Sequence, residues 1–135
     1  MNSNAAEYLM IEDNKQDVEI TLFDFEINGK KDLFYIAQNC EDAMDYLFAE
    51  DGSLKIEPPK AIFLDLHMPK VSAFEFLHII KSNKKTENIP VVVLKSSISP
   101  VELDQCHQLG VKHFIEKPLE YENFTGLIGK LQSCF

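Results

Sequence analysis

Three widely separated places in this 135-residue chain end a short apolar run on a chemically active side chain. Tyr8 to Ile11 runs into Glu12-Asp13, Ala61 to Leu64 runs into Asp65, and Lys112 to Ile115 is followed by Glu116-Lys117-Pro118. Carboxylates brought together repel by about 4 kcal/mol per pair at a separation of roughly 4 Å and an effective dielectric of about 20, so something positive must offset them. A hard divalent ion suits oxygen ligands, and Mg²⁺ is usually held by one or two carboxylates plus waters and phosphate oxygens. A carboxylate beside such an ion can act as a nucleophile toward a phosphoryl group, giving an aspartyl phosphate. The ion and the lysine ammonium would then neutralise charge on the transferring oxygens.

Taken singly, these residues have plainer explanations. An acidic pair after a strand is more often a helix cap or solvated charge, and a lysine before a proline is most often a surface lysine. Asp65 is harder to dismiss, because it places a charge at the end of a buried-type apolar run and is followed by Leu66-His67-Met68-Pro69. Lys117, just before Pro118 at a strand end, has no obvious buried partner, so it is expected to act on the phosphoryl group rather than on folding.

The elements that must position these residues are legible in the periodicity. Apolar runs at Tyr8 to Ile11, Leu33 to Ala37, Ala61 to Leu64, Val91 to Leu94 and Lys112 to Ile115 read as strands. They alternate with helical stretches near Lys15 to Ile27, Glu41 to Glu50, Ala73 to Lys81, Pro100 to Leu109 and Tyr121 to Leu131. Five βα units predict an α/β, doubly wound, five-stranded parallel sheet with helices on both faces. If the strand order is the flavodoxin-like 2-1-3-4-5, the first and third strands are neighbours and their carboxylates share one crevice beyond the strand ends. Val18, Leu22 and Phe25, and likewise Phe74, Leu77 and Ile80, recur at spacings of three and four and predict one buried stripe per helix. Asn14 can cap the first helix, Gly110 can terminate the fourth, and 50–60 reads as a surface loop.

Composition narrows the function classes. With 45% hydrophobic residues the chain can bury one substantial core, and 1–135 reads as a single domain without an output domain. A net charge of −9 and a pI near 4.8 argue against nucleic acid or an anionic membrane as a partner. Cys40, Cys106 and Cys134 show neither disulfide nor zinc spacing, and no apolar run is long enough to span a membrane, so a soluble cytoplasmic protein is expected.

In order and spacing, Ile11-Glu12-Asp13-Asn14, Leu64-Asp65-Leu66-His67-Met68-Pro69 and Phe114-Ile115-Glu116-Lys117-Pro118 resemble the CheY-like response-regulator receivers of two-component signalling. The Glu-Asp-Asn run followed by Asp17, together with Ile89-Pro90-Val91-Val92-Val93-Leu94, is most similar to single-domain regulators that partner phytochrome-type histidine kinases. The resemblance implies a phosphorelay receiver with Asp65 as phosphoacceptor and Mg²⁺ held by Glu12, Asp13, Asp65 and the backbone carbonyl of His67. It implies that Lys117 pairs with the phosphoryl group and that Phe114 is a switching aromatic. The implied partners are a histidine kinase or phosphotransfer domain as donor and a target protein yet to be named. Residues 99–133 would form the output surface and, where one exists, the homodimer surface. Such a protein is no enzyme in the ordinary sense, catalysing only its own phosphorylation and dephosphorylation.

Two positions depart from the family pattern. Ala73 stands where the family usually has Gly, which predicts a relaxed turn there. Lys95 stands where Ser or Thr is usual, with Ser96 directly after it, and this puts the switching device in question. A receiver-like adaptor in which Lys95 fills the phosphate site is therefore a second reading. A haloacid-dehalogenase-type phosphatase is a third, disfavoured because His67 stands where that class wants a second Asp. The acidic first loop also lacks the phosphate-cradling pattern of a P-loop.

Overall fold

The computed structural model describes residues 6–66, 68 and 70–132, with Lys70, Val71 and Gln132 described by their backbone alone. Strands and helices alternate as β1 (Tyr8–Ile11), α1 (Lys15–Ile27), β2 (Phe34–Ala37), α2 (Cys40–Leu47), β3 (Ile62–Asp65), α3 (Lys70–Ser82), β4 (Val91–Lys95), α4 (Pro100–Gln108), β5 (His113–Glu116) and α5 (Tyr121–Gln132). All strand pairs are parallel and the order is β2-β1-β3-β4-β5, so Ile11 lies opposite Leu64 and the first and third strand ends are adjacent.

Successive side chains of a strand point to opposite faces of the sheet, and here they divide the core into two halves. Leu9, Ile11, Ile62, Leu64, Val91 and Val93 pack under α2, α3 and the buried Cys106 of α4. Tyr8, Met10, Phe63, Val92 and Leu94 pack on the other face with Phe25 of α1 and Phe124 of α5. That second half is aromatic: Phe25, Phe34, Phe63 and Phe124 meet edge-on or tilted at centroid distances of 5.0–5.8 Å. Burying a side chain of this size stabilises by roughly 1.5–3 kcal/mol, and Phe63→Ala at the centre would cost about 3–5 kcal/mol.

The helix boundaries have local causes. Asn14 caps α1 by accepting from the Asp17 N–H at 3.0 Å. Ser99 and Glu102 form a reciprocal capping box at the start of α4. Gly110 ends α4 at φ +85°, a conformation in which a side chain would be strained. α3 begins at Lys70, three residues before the predicted start, so Ala73 lies inside a helix and is fully buried. The relaxed turn expected at Ala73 is therefore not needed. Within the 50–60 loop, Leu54 and Ile56 pack against the core and the Lys55 N–H donates to the Leu47 carbonyl at 2.8 Å.

The predicted stripe of α3 holds at Leu77 and Ile80, with Phe74 half-buried. That of α1 holds only in part: Phe25 is buried with Thr21 and Val18 is half-buried, while Leu22 is 42% exposed and Ile20, Phe23 and Ile27 also face outward. Apolar residues occur nearly all round this helix, so their spacing cannot choose its inner face. Polar bonds choose it: Thr21 Oγ1 donates to the Leu119 carbonyl at 2.8 Å, and Asp24 accepts from the Tyr121 N–H at 2.6 Å.

Candidate functional site

Glu12 and Lys117 follow immediately on β1 and β5, and Asp65 closes β3. The strand alternation that sends Met10 and Phe63 toward α1 and α5 sends Glu12 and Asp65 the same way, and Lys117 joins them. Its Nζ lies 3.0 Å from Asp65 Oδ2, 3.0 Å from Glu12 Oε1 and 3.0 Å from Asp17 Oδ2 on α1. The network is secluded: the side chains of Lys117, Glu12 and Asp65 are 8%, 2% and 0% exposed. Lys117 therefore does have buried partners, supplied by β1, β3 and α1 rather than by its own neighbourhood in sequence.

One ammonium cannot neutralise so many carboxylates. Burial first, then the hydrogen-bonded Asp65 carboxylate, push the Glu12 carboxyl up to about 8, against the pull of Lys117 and the Asn14 N–H. Burial works against the charge on Lys117, yet its hydrogen bonds to Asp17, Asp65 and Glu12 outweigh that and hold its pKa well above the ordinary lysine value. A buried acid that keeps its proton into neutral pH marks a place short of positive charge. Asp13, beside Glu12, is exposed, and one oxygen from each of Glu12, Asp13 and Asp65 lies within 4.8 Å of the others. An all-oxygen donor set with one open edge fits a hard divalent cation. His67, whose carbonyl was expected to complete that set, lies outside the described residues.

Lys95 belongs to the other flank. It ends β4 on the parity of Val91 and Val93, facing α3 and α4, and its ammonium reaches the Glu116 carboxylate of the adjacent strand at 3.9 Å. Phe114 shares that flank, half-buried, with its ring 5.8 Å from and edge-on to His107 of α4. Ser96 follows on the exposed loop before α4. The two flanks are joined by main chain, since the Lys117 N–H donates to the Lys95 carbonyl at 2.8 Å. This bond extends β4 one residue past its predicted end.

The candidate residue that sequence reasoning left without a role is Asp17. Its spacing from Asn14 signals only a helix start, and its partner stands 100 positions away along the chain by number (117 − 17).

Residues 9–128 match the family model of the response regulator receiver domain. A probable methanogenesis regulatory protein, FilR2, of Methanothrix harundinacea is 30% identical over 124 residues, which is 92% of this chain and 79% of that protein. The Arabidopsis thaliana two-component response regulator ARR16 is 28% identical over 105 residues, with 73% of this chain and 64% of that protein covered. Among solved structures, the bacteriophytochrome response regulator AtBRR superimposes with a TM-score of 0.75 at 33% identity, covering 93% of this chain and 91% of its own. A two-component response regulator from Legionella pneumophila gives 0.79 at 28% identity, covering 95% and 98%. No helix among the described residues is long and apolar enough to cross a membrane.

Proposed function

The chain belongs to the response regulator receiver family of two-component signalling, and from that premise we propose that it accepts a phosphoryl group on Asp65 and signals by binding a partner. The observation that carries this is the ammonium of Lys117, held 3.0 Å from both Asp65 and Glu12 at the strand-end crevice. Glu12, Asp13 and Asp65 would hold Mg²⁺, which when bound supplies charge neutralisation to the oxygens of the transferring group. The donor is a histidine kinase or phosphotransfer domain, in keeping with the bacteriophytochrome regulators it resembles. In the transfer, an Asp65 carboxylate oxygen forms the new P–O bond while the donor's P–N bond breaks. The imidazole nitrogen keeps that electron pair, and the ring, already protonated on its other nitrogen, leaves as neutral imidazole. Lys117 stays with the charge as it moves from carboxylate to phosphoryl oxygen, a positioning and electrostatic role. Asp65 has no exposed surface, so the groups over it must move before an oxygen can attack. The chain acts on no other substrate in this reading, and the receiver constitutes one domain over 1–135.

Incubation with a small acyl phosphate and Mg²⁺ tests the proposal. One acid-stable, base-labile phosphoryl group per chain is expected, absent in Asp65→Asn. Label that survives in the mutant refutes the assignment of Asp65. The adaptor alternative is tested alongside: partner binding that is equal for the parent and Asp65→Asn, with and without donor, would favour it.

A further inference from the structure

Three residues on one face of α1, spaced by four and three, meet alternate residues of the segment joining β5 to α5. Asp17 pairs with Lys117 at 3.0 Å, Thr21 donates to the Leu119 carbonyl at 2.8 Å, and Asp24 accepts from the Tyr121 N–H at 2.6 Å. The lower two rungs fix the helix against the segment through neutral and capping bonds. The top rung differs, because it ends on the residue that must act on the phosphoryl group. A lysine ammonium has three N–H donors and no more. Three carboxylates, Asp17, Asp65 and Glu12, surround this one at 3.0 Å, with hydrogen bonds to Asp65 and Glu12, so an arriving phosphoryl group must compete with them for the ammonium.

We infer that Asp17 is a positioning residue for Lys117, restraining its ammonium on the α1 side and setting the balance between the unmodified and phosphorylated states. The inference rests on Asp65 being the phosphoacceptor. Two effects act in the same direction. Asp17 competes for a donor that the phosphoryl oxygens need, and its negative charge repels the dianion they carry. A contact shifts an equilibrium only by its difference between the two states, and both terms favour the unmodified one. Asp17 is three-quarters buried, with 23% of its side chain exposed, so solvent screens its charge only partly. Buried Phe25 and the bond from Thr21 to the Leu119 carbonyl hold the helix in place, so Asp17 cannot simply follow Lys117 if the ammonium moves.

Titration with beryllofluoride at fixed Mg²⁺, followed by ¹⁹F NMR, measures the balance without turnover. Asp17→Asn keeps the size and an acceptor oxygen but removes the charge, and it is expected to bind beryllofluoride about fivefold or more tightly than the parent. Asp17→Glu should return the affinity toward the parent value. Asp24→Ala, which loses the bond to Tyr121 but no contact with Lys117, should lower thermal stability and leave the affinity unchanged. The Lys117 ammonium signal in ¹⁵N spectra should shift in metal-free Asp17→Asn and not in Asp24→Ala. Equal affinity of Asp17→Asn and the parent overturns the inference, as does an Asp24→Ala affinity that moves as far as that of Asp17→Asn. Failure of the parent itself to bind beryllofluoride refutes the phosphoacceptor reading, and the inference falls with it.

Discussion

On the α1/α5 flank of the strand ends one ammonium holds three carboxylates at 3.0 Å, whereas on the α3/α4 flank Lys95 and Glu116 stand 3.9 Å apart. The first network is secluded; in the second the side chains are 27% and 79% exposed. Removing one member of a buried charge network leaves the others uncompensated, at a cost of several kcal/mol, while exposed pairs contribute little. Geometry is therefore fixed on the flank where the proposed phosphoryl transfer would take place and loose on the other, and the two are joined through the Lys117 N–H and Lys95 carbonyl bond.

The largest expected effect breaks the tight flank. In metal-free protein at pH 8, Lys117→Ala should lose on the order of 3 kcal/mol of stability in denaturant titration, with part recovered on adding Mg²⁺. Unchanged stability would mean that the network does not hold this flank together.

The next effect is a pH dependence. The Glu12 carboxyl is raised from its ordinary value of 4.5 to about 8 in the folded chain. Its contribution to stability is thus fully present below about pH 4.5, where folded and unfolded states are both protonated, and is lost as pH rises toward 8. Between those limits the unfolded state ionises first, and the loss approaches at most about 1.4 kcal/mol per pH unit. Melting curves of metal-free protein should fall across this window, and Glu12→Gln should flatten them. Equal slopes in mutant and parent would assign the dependence to other groups.

Smaller still is the effect of Lys95→Thr on the loose flank, with stability expected to change by no more than about 0.5 kcal/mol. Its consequence is sharper in NMR. A threonine hydroxyl can draw toward a phosphoryl oxygen and vacate space that Phe114 can enter, whereas a flexible ammonium can reach from a distance. Beryllofluoride should therefore shift the Phe114 and α4 resonances more in Lys95→Thr than in the parent. A larger response in the parent would make Lys95, or Ser96 beside it, the switching element. Smallest of all, Glu116→Gln should leave thermal stability within about 0.3 kcal/mol of the parent.

Most of the architecture was legible because strands buried on both faces are apolar along their whole length, and four of the five helices have one inner side. α1 was the exception, since Ile20, Leu22, Phe23 and Ile27 give it apolar residues on its outer side too. Its orientation is decided by Thr21 and Asp24, whose partners lie 98 and 97 residues away. Asp17 was legible as a residue and not as a function for the same reason. Glu12, Asp65 and Lys117 could be read together only because strand order makes neighbours of their elements. The expected absence of a buried partner for Lys117 failed because its partners come from the ends of β1 and β3 and from α1, all distant from it in sequence.

The bond from the Tyr121 N–H to Asp24 has a consequence for how the chain is made. The carboxylate that caps the last helix belongs to the first, and the two helices share the aromatic half of the core through Phe25 and Phe124. As synthesis proceeds from the N-terminus, α1 emerges early with Phe25 uncovered and the Thr21 hydroxyl and Asp24 carboxylate lacking their later partners. It must wait while β2 through β5 are made. Contacts this distant along the chain form late, so a chain lacking the segment from residue 119 onward would leave Phe25 without Phe124 and the Thr21 hydroxyl and Asp24 carboxylate without their partners.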